Sequence, residues 1–507
     1  MKDELMAHTG WRRLDGGWAY LHGGGALGGT GAVAGVEASL PAALAPLILP
    51  APPTAPELRS AICASLAVLD LAPDRVTVPT LGAVWRSILG AADFSVFVYG
   101  ATGRFKTALA SLLQQHFGAD FAARRLPSSW ASTANFNEVL AFIAKDALVV
   151  IDDFRPCAAE RRRLEGEADR LLRAAANGAG RGRLKSDASL RPAHPPRAVI
   201  LATGEEKPSG GSLIARMFLV EVAPDDIDPR RLSACQRDAA SGLYAQATAG
   251  YIQWLGPRLD QVRAEMNSAH GRYREQAAHA GLHRRTPGIV ADLFLGWQRF
   301  LDFAYEAEAL MSAEIEVYRA RVWTALMEVA HRQSEHQREA NPVDRFLTLL
   351  RSAISAGHAH LAMRDGGMPE NPAAWGWCTQ RTGKHERARW LPQGARVGWL
   401  DDDDLYLDIN SAYRTAQSMA ADGDGIAVGV LNLVKRFHET GRLQSIDQQR
   451  RKLKVRRMID GRRLEVLHLP ADALELSITG KPGPIGPSTG AKNDDNEQGQ
   501  QSLKLKF

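Results

Sequence analysis

Glycine, lysine and threonine stand at a chemically suggestive spacing in Gly100-Ala101-Thr102-Gly103-Arg104-Phe105-Lys106-Thr107. A loop that turns backbone N–H groups inward, followed by a helix N-terminus and a lysine, binds the phosphates of a nucleotide. Gly100, Lys106 and Thr107 fit the G-x-x-x-x-G-K-[S/T] pattern of Walker A loops. Phe105, however, occupies the place of the second glycine. The sequence predicts a phosphate-binding loop; the alternative is an ordinary glycine turn with an exposed lysine.

Two elements must position this loop. The apolar run 94–99 is rich in aromatic and β-branched residues and predicts a buried strand that leads into Gly100. The segment from Lys106 to Leu113 predicts a helix that begins where the loop ends. Strand, glycine loop and helix in this order are the context that a phosphate-binding loop requires.

A pair of carboxylates follows a second apolar run. Residues 147–151 are consecutively apolar and predict a buried parallel strand. Asp152 and Asp153 follow at its C-terminal end, where α/β sheets place their ligands. One carboxylate there is suited to hold Mg²⁺ through water, and a second to orient the water that attacks a γ-phosphate. With a phosphate loop upstream this indicates a Walker B strand; the alternative is an ordinary strand end with an acidic cap.

Two further strands carry polar residues at their ends. The run 198–202 predicts a third strand that ends in Thr203, whose hydroxyl is suited to contact a γ-phosphate or the attacking water. A glycine-rich basic segment, 178–191, precedes it and predicts a protruding hairpin. Arg216 stands directly before a fourth apolar run. Apolar strands separated by helical segments predict an α/β fold with a mostly parallel sheet, covered on both faces.

The whole chain has the size and composition of a folded multidomain protein. Its 507 residues are enough for two to four domains, and its net charge of +5 is a weak indication of polyanion binding. The four cysteines lack C-x-x-C spacing, which disfavours structural zinc and fits a reducing cytoplasm. The charged N-terminus and the prolines between residues 41 and 53 disfavour a signal peptide and a membrane span. We expect a cytoplasmic protein with no membrane partner.

Composition and periodicity divide the chain into six segments. Residues 1–56 are expected to be the remnant of a β-rich module, because a hairpin pattern starts almost at Met1; a hairpin cap on the next domain is the alternative. The others are a P-loop ATPase core (57–225), an α-helical lid or packing bundle (226–354), a connector (355–392), a winged-helix domain (393–472) and a disordered tail (473–507).

The C-terminal pattern predicts two helices followed by a hairpin that turns at Asp460-Gly461. Helix, helix and two-stranded wing is the order of a winged helix. Basic residues gather on the second helix and the hairpin, including Lys435, Arg456 and Arg457, where contacts with DNA phosphates would be made. The alternative is a solvated charged face.

As an ordered set, these motifs resemble the domain-of-unknown-function 927 (DUF927) family. Its members are helicase-like ATPases of phages and mobile elements, and they include the cassette-chromosome replicative helicases. The resemblance extends over most of residues 9–470. It rests on segments 9–22, 100–107, 130–135, 145–154, 202–205, 212–216 and 398–408.

The ATPase core of this family is similar to that of the minichromosome maintenance helicases, which are hexameric AAA+ motors. In that comparison a residue other than glycine before the lysine is acceptable. The acidic pair is Asp-Asp where many motors have Asp-Glu. The resemblance implies that Asp152 holds Mg²⁺, Asp153 activates water, Thr203 is sensor one, Arg216 is an arginine finger acting on a neighbouring subunit, and Arg181, Arg183 or Lys185 contacts the DNA backbone.

Together with the motifs, this resemblance implies an ATP-dependent DNA helicase or translocase with an AAA+ type core and a winged helix. It would act as a homo-hexamer or other ring on single-stranded or forked DNA, in replication of a phage or mobile element. The loop amides and Lys106 would bind the β- and γ-phosphates, and Thr107 with Asp152 would hold Mg²⁺. The alternative is a nucleotide-gated or degenerate ATPase that serves as a DNA-binding regulator or scaffold. A P-loop kinase is disfavoured, because the basic hairpin and winged helix would have no role in it.

Overall fold

The computed structural model describes most of the chain. Among the described residues no helix combines the length and the apolar character that crossing a bilayer requires. The described residues are 4–157, 159–180, 183–184, 189–191, 193–278, 282, 284–339, 341–380, 389–420, 425–426 and 428–474.

The chain begins with short strands. Four of them, β2 to β5, form an antiparallel sheet in sequence order, and β1 pairs in parallel with β6. The predicted hairpin is β2 and β3, which turn at Asp15-Gly16. The strands are β1 (Glu4–Met6), β2 (Gly10–Leu14), β3 (Gly17–His22), β4 (Gly25–Gly28), β5 (Gly31–Ala32) and β6 (Val36–Ala38).

This N-terminal sheet packs against the domain that follows it and is hydrogen-bonded to it. Trp11 and Tyr20 are buried, and their rings meet edge to face. The Trp11 indole donates to the carbonyl of Ile88 at 2.7 Å, and the Tyr20 hydroxyl donates to the carbonyl of Asp146 at 2.8 Å. Because buried polar groups need partners, these bonds fix where the sheet sits. Such packing is what the hairpin-cap alternative describes; an origin as a remnant stays a prediction.

A five-stranded parallel sheet forms the centre of the next domain, as the sequence predicts. Its strand order is β13-β7-β12-β9-β8, so that β12 lies between the strand before the glycine loop and the strand with the acidic pair. The elements are α1 (Ala55–Leu66), α2 (Asp74–Ile88), β7 (Ser95–Tyr99), α3 (Lys106–Gln114), β8 (Ser128–Ser129), α4 (Ala134–Ile143), β9 (Leu148–Phe154), α5 (Arg161–Asn177), β10 (Arg183–Leu184), β11 (Leu190–Arg191), β12 (Val199–Gly204), α6 (Gly211–Ile214) and β13 (Met217–Glu221).

Five long helices follow and share a core with α1, α2 and one face of the sheet. At its centre the rings of Trp85 and Phe300 stack with centroids 3.8 Å apart. The Trp297 indole donates to the carbonyl of Val78 at 2.9 Å, which is possible because Gly82 leaves room for the ring. The helices are α7 (Pro229–Ala240), α8 (Leu243–Leu255), α9 (Leu259–Ala278), α10 (Thr286–Glu306) and α11 (Ser312–Glu339).

The C-terminal unit has its own core and a mixed sheet in the order β14-β17-β18-β20-β19. The β19–β20 hairpin turns at Asp460-Gly461, both with positive φ, as a type I′ turn requires. The elements are α12 (Pro342–Ser355), β14 (Ala359–Met363), β15 (Trp377–Gln380), β16 (Arg389–Pro392), β17 (Ala395–Asp401), β18 (Asp404–Leu407), α13 (Ile409–Ser418), α14 (Val430–Glu439), β19 (Val455–Ile459) and β20 (Arg462–Pro470).

The boundaries of this unit differ from those expected from composition. Helix α12 and strand β14 contribute Phe346 and Leu361 to the same core as Leu405 and Phe437. The unit therefore begins near residue 342, and the expected connector contains a strand of the sheet. At the other end Leu474 is buried in this core, inside the expected tail, whose residues 475–507 lie outside the described part of the chain.

Candidate nucleotide-binding site

The glycine loop lies at the C-terminal edge of the parallel sheet, between β7 and α3. A Cβ atom on Gly100 would lie 2.4 Å from the carbonyl oxygen of Val222, so only glycine fits there. The Gly100 amide donates to the carbonyl of Gly204 at 3.3 Å, which ties the loop to the end of β12. The loop ends at Phe105, directly before the first residue of α3. The strand, loop and helix predicted from the sequence are therefore present.

Lys106 opens α3 and folds back over the loop. Its Nζ donates to the carbonyl of Ala101 at 2.8 Å. Partial burial lowers the pKa of Lys106, while the carboxylates of Glu205, Asp152 and Asp153 oppose that shift. The ammonium thus lies against the loop, near the carboxylates at the C-terminal ends of β9 and β12.

Three predicted residues meet beneath the loop. The Thr107 hydroxyl donates to the Asp152 carboxylate, at 3.0 Å from Oδ1 and 3.2 Å from Oδ2. The Thr203 hydroxyl also donates to Oδ1 of Asp152. Adjacent ligands of an octahedral Mg²⁺ ion lie about 2.9 Å apart. The hydroxyl of Thr107 and the carboxylate of Asp152 therefore have both the chemistry and the separation that Mg²⁺ needs.

The two acidic residues form a β-bulge in β9. In the pairing of β9 with β12, Ile151 lies opposite Ala202 and Phe154 opposite Gly204, so two residues face Thr203 alone. Asp153 has a φ of 65°, in the left-handed region, and its amide donates to the Thr203 hydroxyl at 3.1 Å. Bulges re-aim side chains next to functional sites. Here Asp153 is exposed and lines the cleft beside the loop.

The cleft is also lined by Glu205, a residue for which sequence analysis predicted no role. It has a volume of about 380 Å³ and is lined by loop residues 102–107 together with Asp153, Thr203 and Glu205. The side chain of Glu205 is 29% exposed, and its carboxylate lies 3.5 Å from Nε of Arg155. The sequence offered one signal, since Glu205 follows Thr203 by two residues, but spacing alone could not show that its side chain enters the cleft.

Arg216 lies at the opposite edge of the sheet. Strand β13 is parallel to β7 with Met217 opposite Ser95, so Arg216 is level with the start of β7 and the loop follows its end. Five residues of strand span about 16 Å, which exceeds the reach of an arginine side chain. Its guanidinium donates to the Ser212 hydroxyl at 2.7 Å. Partial burial, then the charges of Arg285 and Arg173, lower its pKa.

The basic residues proposed for DNA are elsewhere. Arg181 and Lys185 lie outside the described residues, and Arg183 is placed only as part of β10, which pairs with β11. Lys435 is exposed on α14, and Arg456 is exposed on β19. Arg457 is half-buried, with its guanidinium 5.9 Å from the centroid of the Tyr406 ring. None of these C-terminal residues lines the cleft beside the glycine loop.

A solved structure with the same overall fold is described as "SCCmec type IV Cch - active helicase". The superposition has a TM-score of 0.54 and covers 93% of this chain and 81% of the other, with 13% sequence identity. At that identity the likeness shows a shared fold. No protein-family model matches the sequence, and no curated protein matches it, so membership of the DUF927 family stays a prediction.

Proposed function

We propose that this protein is an ATP-hydrolysing AAA+ motor that moves along DNA, a helicase acting in the replication of a phage or mobile element. The observation that carries the proposal is the group of Thr107, Asp152 and Thr203, joined by hydrogen bonds beneath a glycine loop with a lysine at its mouth. The likeness to a solved helicase of a mobile cassette supports it.

Each residue of the site has a task in this proposal. The loop amides of residues 100–107 and the ammonium of Lys106 bind the β- and γ-phosphates of ATP. Thr107 and Asp152 are the residues that would hold Mg²⁺. When bound, Mg²⁺ neutralises the phosphate charge that develops during hydrolysis. In this proposal Asp153 orients the attacking water, and the Thr203 hydroxyl senses the γ-phosphate.

The place of Arg216 favours an assembly of several copies. It lies too far from the loop of its own chain to reach the phosphates, as the parallel register of β13 and β7 requires. An arginine supplied by a neighbouring subunit neutralises transition-state charge and makes hydrolysis depend on assembly. We therefore propose a homo-hexamer or other ring, located in the cytoplasm, in which Arg216 acts on the next subunit's ATP.

Two surfaces would contact single-stranded or forked DNA. The β10–β11 hairpin, with Arg181, Arg183 and Lys185 in and beside it, would enter the channel of the ring. The C-terminal unit has two helices followed by a hairpin, and β18 pairs with β20, an arrangement that fits a winged helix. Its residues Lys435, Arg456 and Arg457 would contact phosphates, while helices α7 to α11 would serve as the lid of the nucleotide site.

The proposal is tested by ATP turnover of purified variants. We expect Lys106→Ala and Asp152→Ala to abolish hydrolysis, because each removes a charge that the phosphates or Mg²⁺ require. Asp260→Ala is a matched control, since Asp260 is exposed on α9 and its nearest ion-pair partner is 4.0 Å away. Unchanged hydrolysis in either site variant would refute the assignment.

A second candidate is a nucleotide-gated or degenerate ATPase that serves as a DNA-binding regulator. Phe105 favours this candidate. It occupies the glycine position of the loop pattern, and its backbone has the left-handed conformation that glycine adopts most easily. A regulator of this kind would bind nucleotide, but single-stranded DNA would not accelerate its turnover.

A further inference from the structure

The glycine loop borders a second cavity besides the cleft. This cavity has a volume of about 570 Å³. It is lined by Gly103, Arg104 and Phe105 of the loop and by residues that follow β13, from Ala223 to the start of α7. Both cavities share residues 103–105. A ligand with its phosphates on the loop can therefore extend into the second cavity.

Phe105 has two unfavourable features at once. Its φ of 56° and ψ of 19° lie in the left-handed region, which glycine adopts freely and a residue with a Cβ does not. The residue is also 46% exposed, although a buried phenylalanine would contribute more to stability. Strained residues of this kind cluster at ligand sites, where the strain serves binding.

The walls of the second cavity offer further groups for a ligand. Arg104 lies beside Phe105, and its Nε is buried without a hydrogen-bond partner among the described residues. Across the cavity, Ile227 is an apolar and nearly buried side chain. An aromatic ring, an apolar surface and a guanidinium next to a phosphate site match the parts of a nucleoside.

We propose that this cavity takes the nucleoside of the bound nucleotide and that its base stacks on the ring of Phe105. This inference rests on the proposed binding of nucleotide phosphates at the adjoining loop. An aromatic face stacks on any base, because every base has a π-face. Phe105 thus has two contacts with the ligand. It belongs to the loop that binds the phosphates, and its ring stacks on the base.

Calorimetric titration with Mg²⁺ present distinguishes the contribution of the base to affinity from that of the phosphates. The two ligands are ADP and inorganic tripolyphosphate, and the variants are Phe105→Gly, Phe105→Leu and Phe105→Tyr. Glycine adopts the backbone conformation of residue 105 without strain, so Phe105→Gly keeps the loop while it removes the ring. We expect the Kd for ADP to rise about tenfold or more in the Gly and Leu variants, the range of base–aromatic stacking. The Tyr variant should bind ADP like the wild type, and tripolyphosphate affinity should not change in any variant.

Three other results would overturn the inference, in distinguishable ways. If Phe105→Gly binds ADP as tightly as the wild type, or loses ADP and tripolyphosphate by the same factor, Phe105 is no base platform and the phosphate site stands. If Phe105→Gly keeps its ADP affinity but loses assembly by light scattering, the ring contacts a neighbouring subunit instead. If the wild type binds neither ligand, the proposed function fails as well.

Discussion

At the end of β9, one carboxylate joins three elements of the candidate site. Asp152 accepts hydrogen bonds from Thr107 of α3 and Thr203 of β12, so the loop helix and the central strand are held in register at the phosphate side. The same group is the proposed Mg²⁺ ligand. A substitution of Asp152 therefore removes a metal ligand and leaves two hydroxyl groups without their acceptor.

Asp153 and Glu205 both line the cleft, and only Asp153 is proposed to orient the attacking water. We expect Asp153→Asn to lower kcat for ATP by about 100-fold with little change in KM, the scale of a lost general base. Glu205→Gln should lower kcat by less than about tenfold, because Glu205 is engaged in an ion pair with Arg155. Steady-state ATPase kinetics measure both. The reverse order of effects would transfer the role to Glu205.

Residue types and spacing were sufficient to predict that Lys106, Thr107, Asp152 and Thr203 lie close together, since each ends or follows a recognisable strand, and hydrogen bonds join the last three. They were not sufficient for Glu205. Its side chain lines the cleft together with loop residues 102–107, which are remote from it in sequence, and no local pattern signals that proximity. Side chains that long-range register brings together are the part that one sequence does not reveal.

At the scale of elements, a buried glutamine holds the loop helix against the acidic strand. Gln114 ends α3, and its side-chain amide donates to the carbonyl of Leu148 at 3.2 Å. Its carbonyl accepts from the amide of Val150 at 2.9 Å. On this side of β9, the short strand β8 pairs only with Ile151 and Asp152. The Gln114 side chain therefore supplies the hydrogen-bond partners of Leu148 and Val150.

We expect Gln114→Leu to lower the free energy of unfolding by roughly 2–6 kcal/mol, because each of two buried backbone groups loses its partner at about 1–3 kcal/mol. Denaturant unfolding followed by tryptophan fluorescence measures the change. Gln261→Leu, on the exposed face of α9, is the matched control. Equal midpoints for the two variants would show that this bond pair contributes little to holding α3.

The elements themselves were predictable in part. The hairpin at Asp460-Gly461 formed as predicted, because that pair suits the positive φ angles of a tight turn. Strand β14 was missed, since its five residues lie in a stretch rich in glycine and proline. Its place in the sheet comes from pairing with β17, which is remote in sequence. Tertiary partners, rather than local propensity, decided that element.

At the scale of the whole molecule, the parallel sheet separates the two groups of residues that we propose for ATP hydrolysis. The loop and the acidic pair lie at its C-terminal edge, and Arg216 lies at its N-terminal edge. One chain therefore has the proposed phosphate site at one end of the strands and the candidate arginine finger at the other. This polarity is what head-to-tail assembly into a ring requires.

Mixing two inactive variants tests this assembly. We expect Arg216→Ala to keep nucleotide binding but to lose hydrolysis, by about 1,000-fold or more for a missing arginine finger. Adding Lys106→Ala protein should restore part of the turnover, because each variant supplies what the other lacks. Arg237→Ala, exposed on α7, should retain wild-type turnover. No rescue at any mixing ratio would count against a finger acting between subunits.

A motor and a nucleotide-gated regulator differ in how single-stranded DNA affects ATP hydrolysis. The difference is measured as the ATP turnover of the full chain with and without single-stranded DNA, with Lys106→Ala as the control variant. We predict that DNA accelerates turnover by the wild type and that Lys106→Ala stays inactive under both conditions. Turnover by the wild type that single-stranded DNA leaves unchanged would contradict a motor and favour a nucleotide-gated regulator.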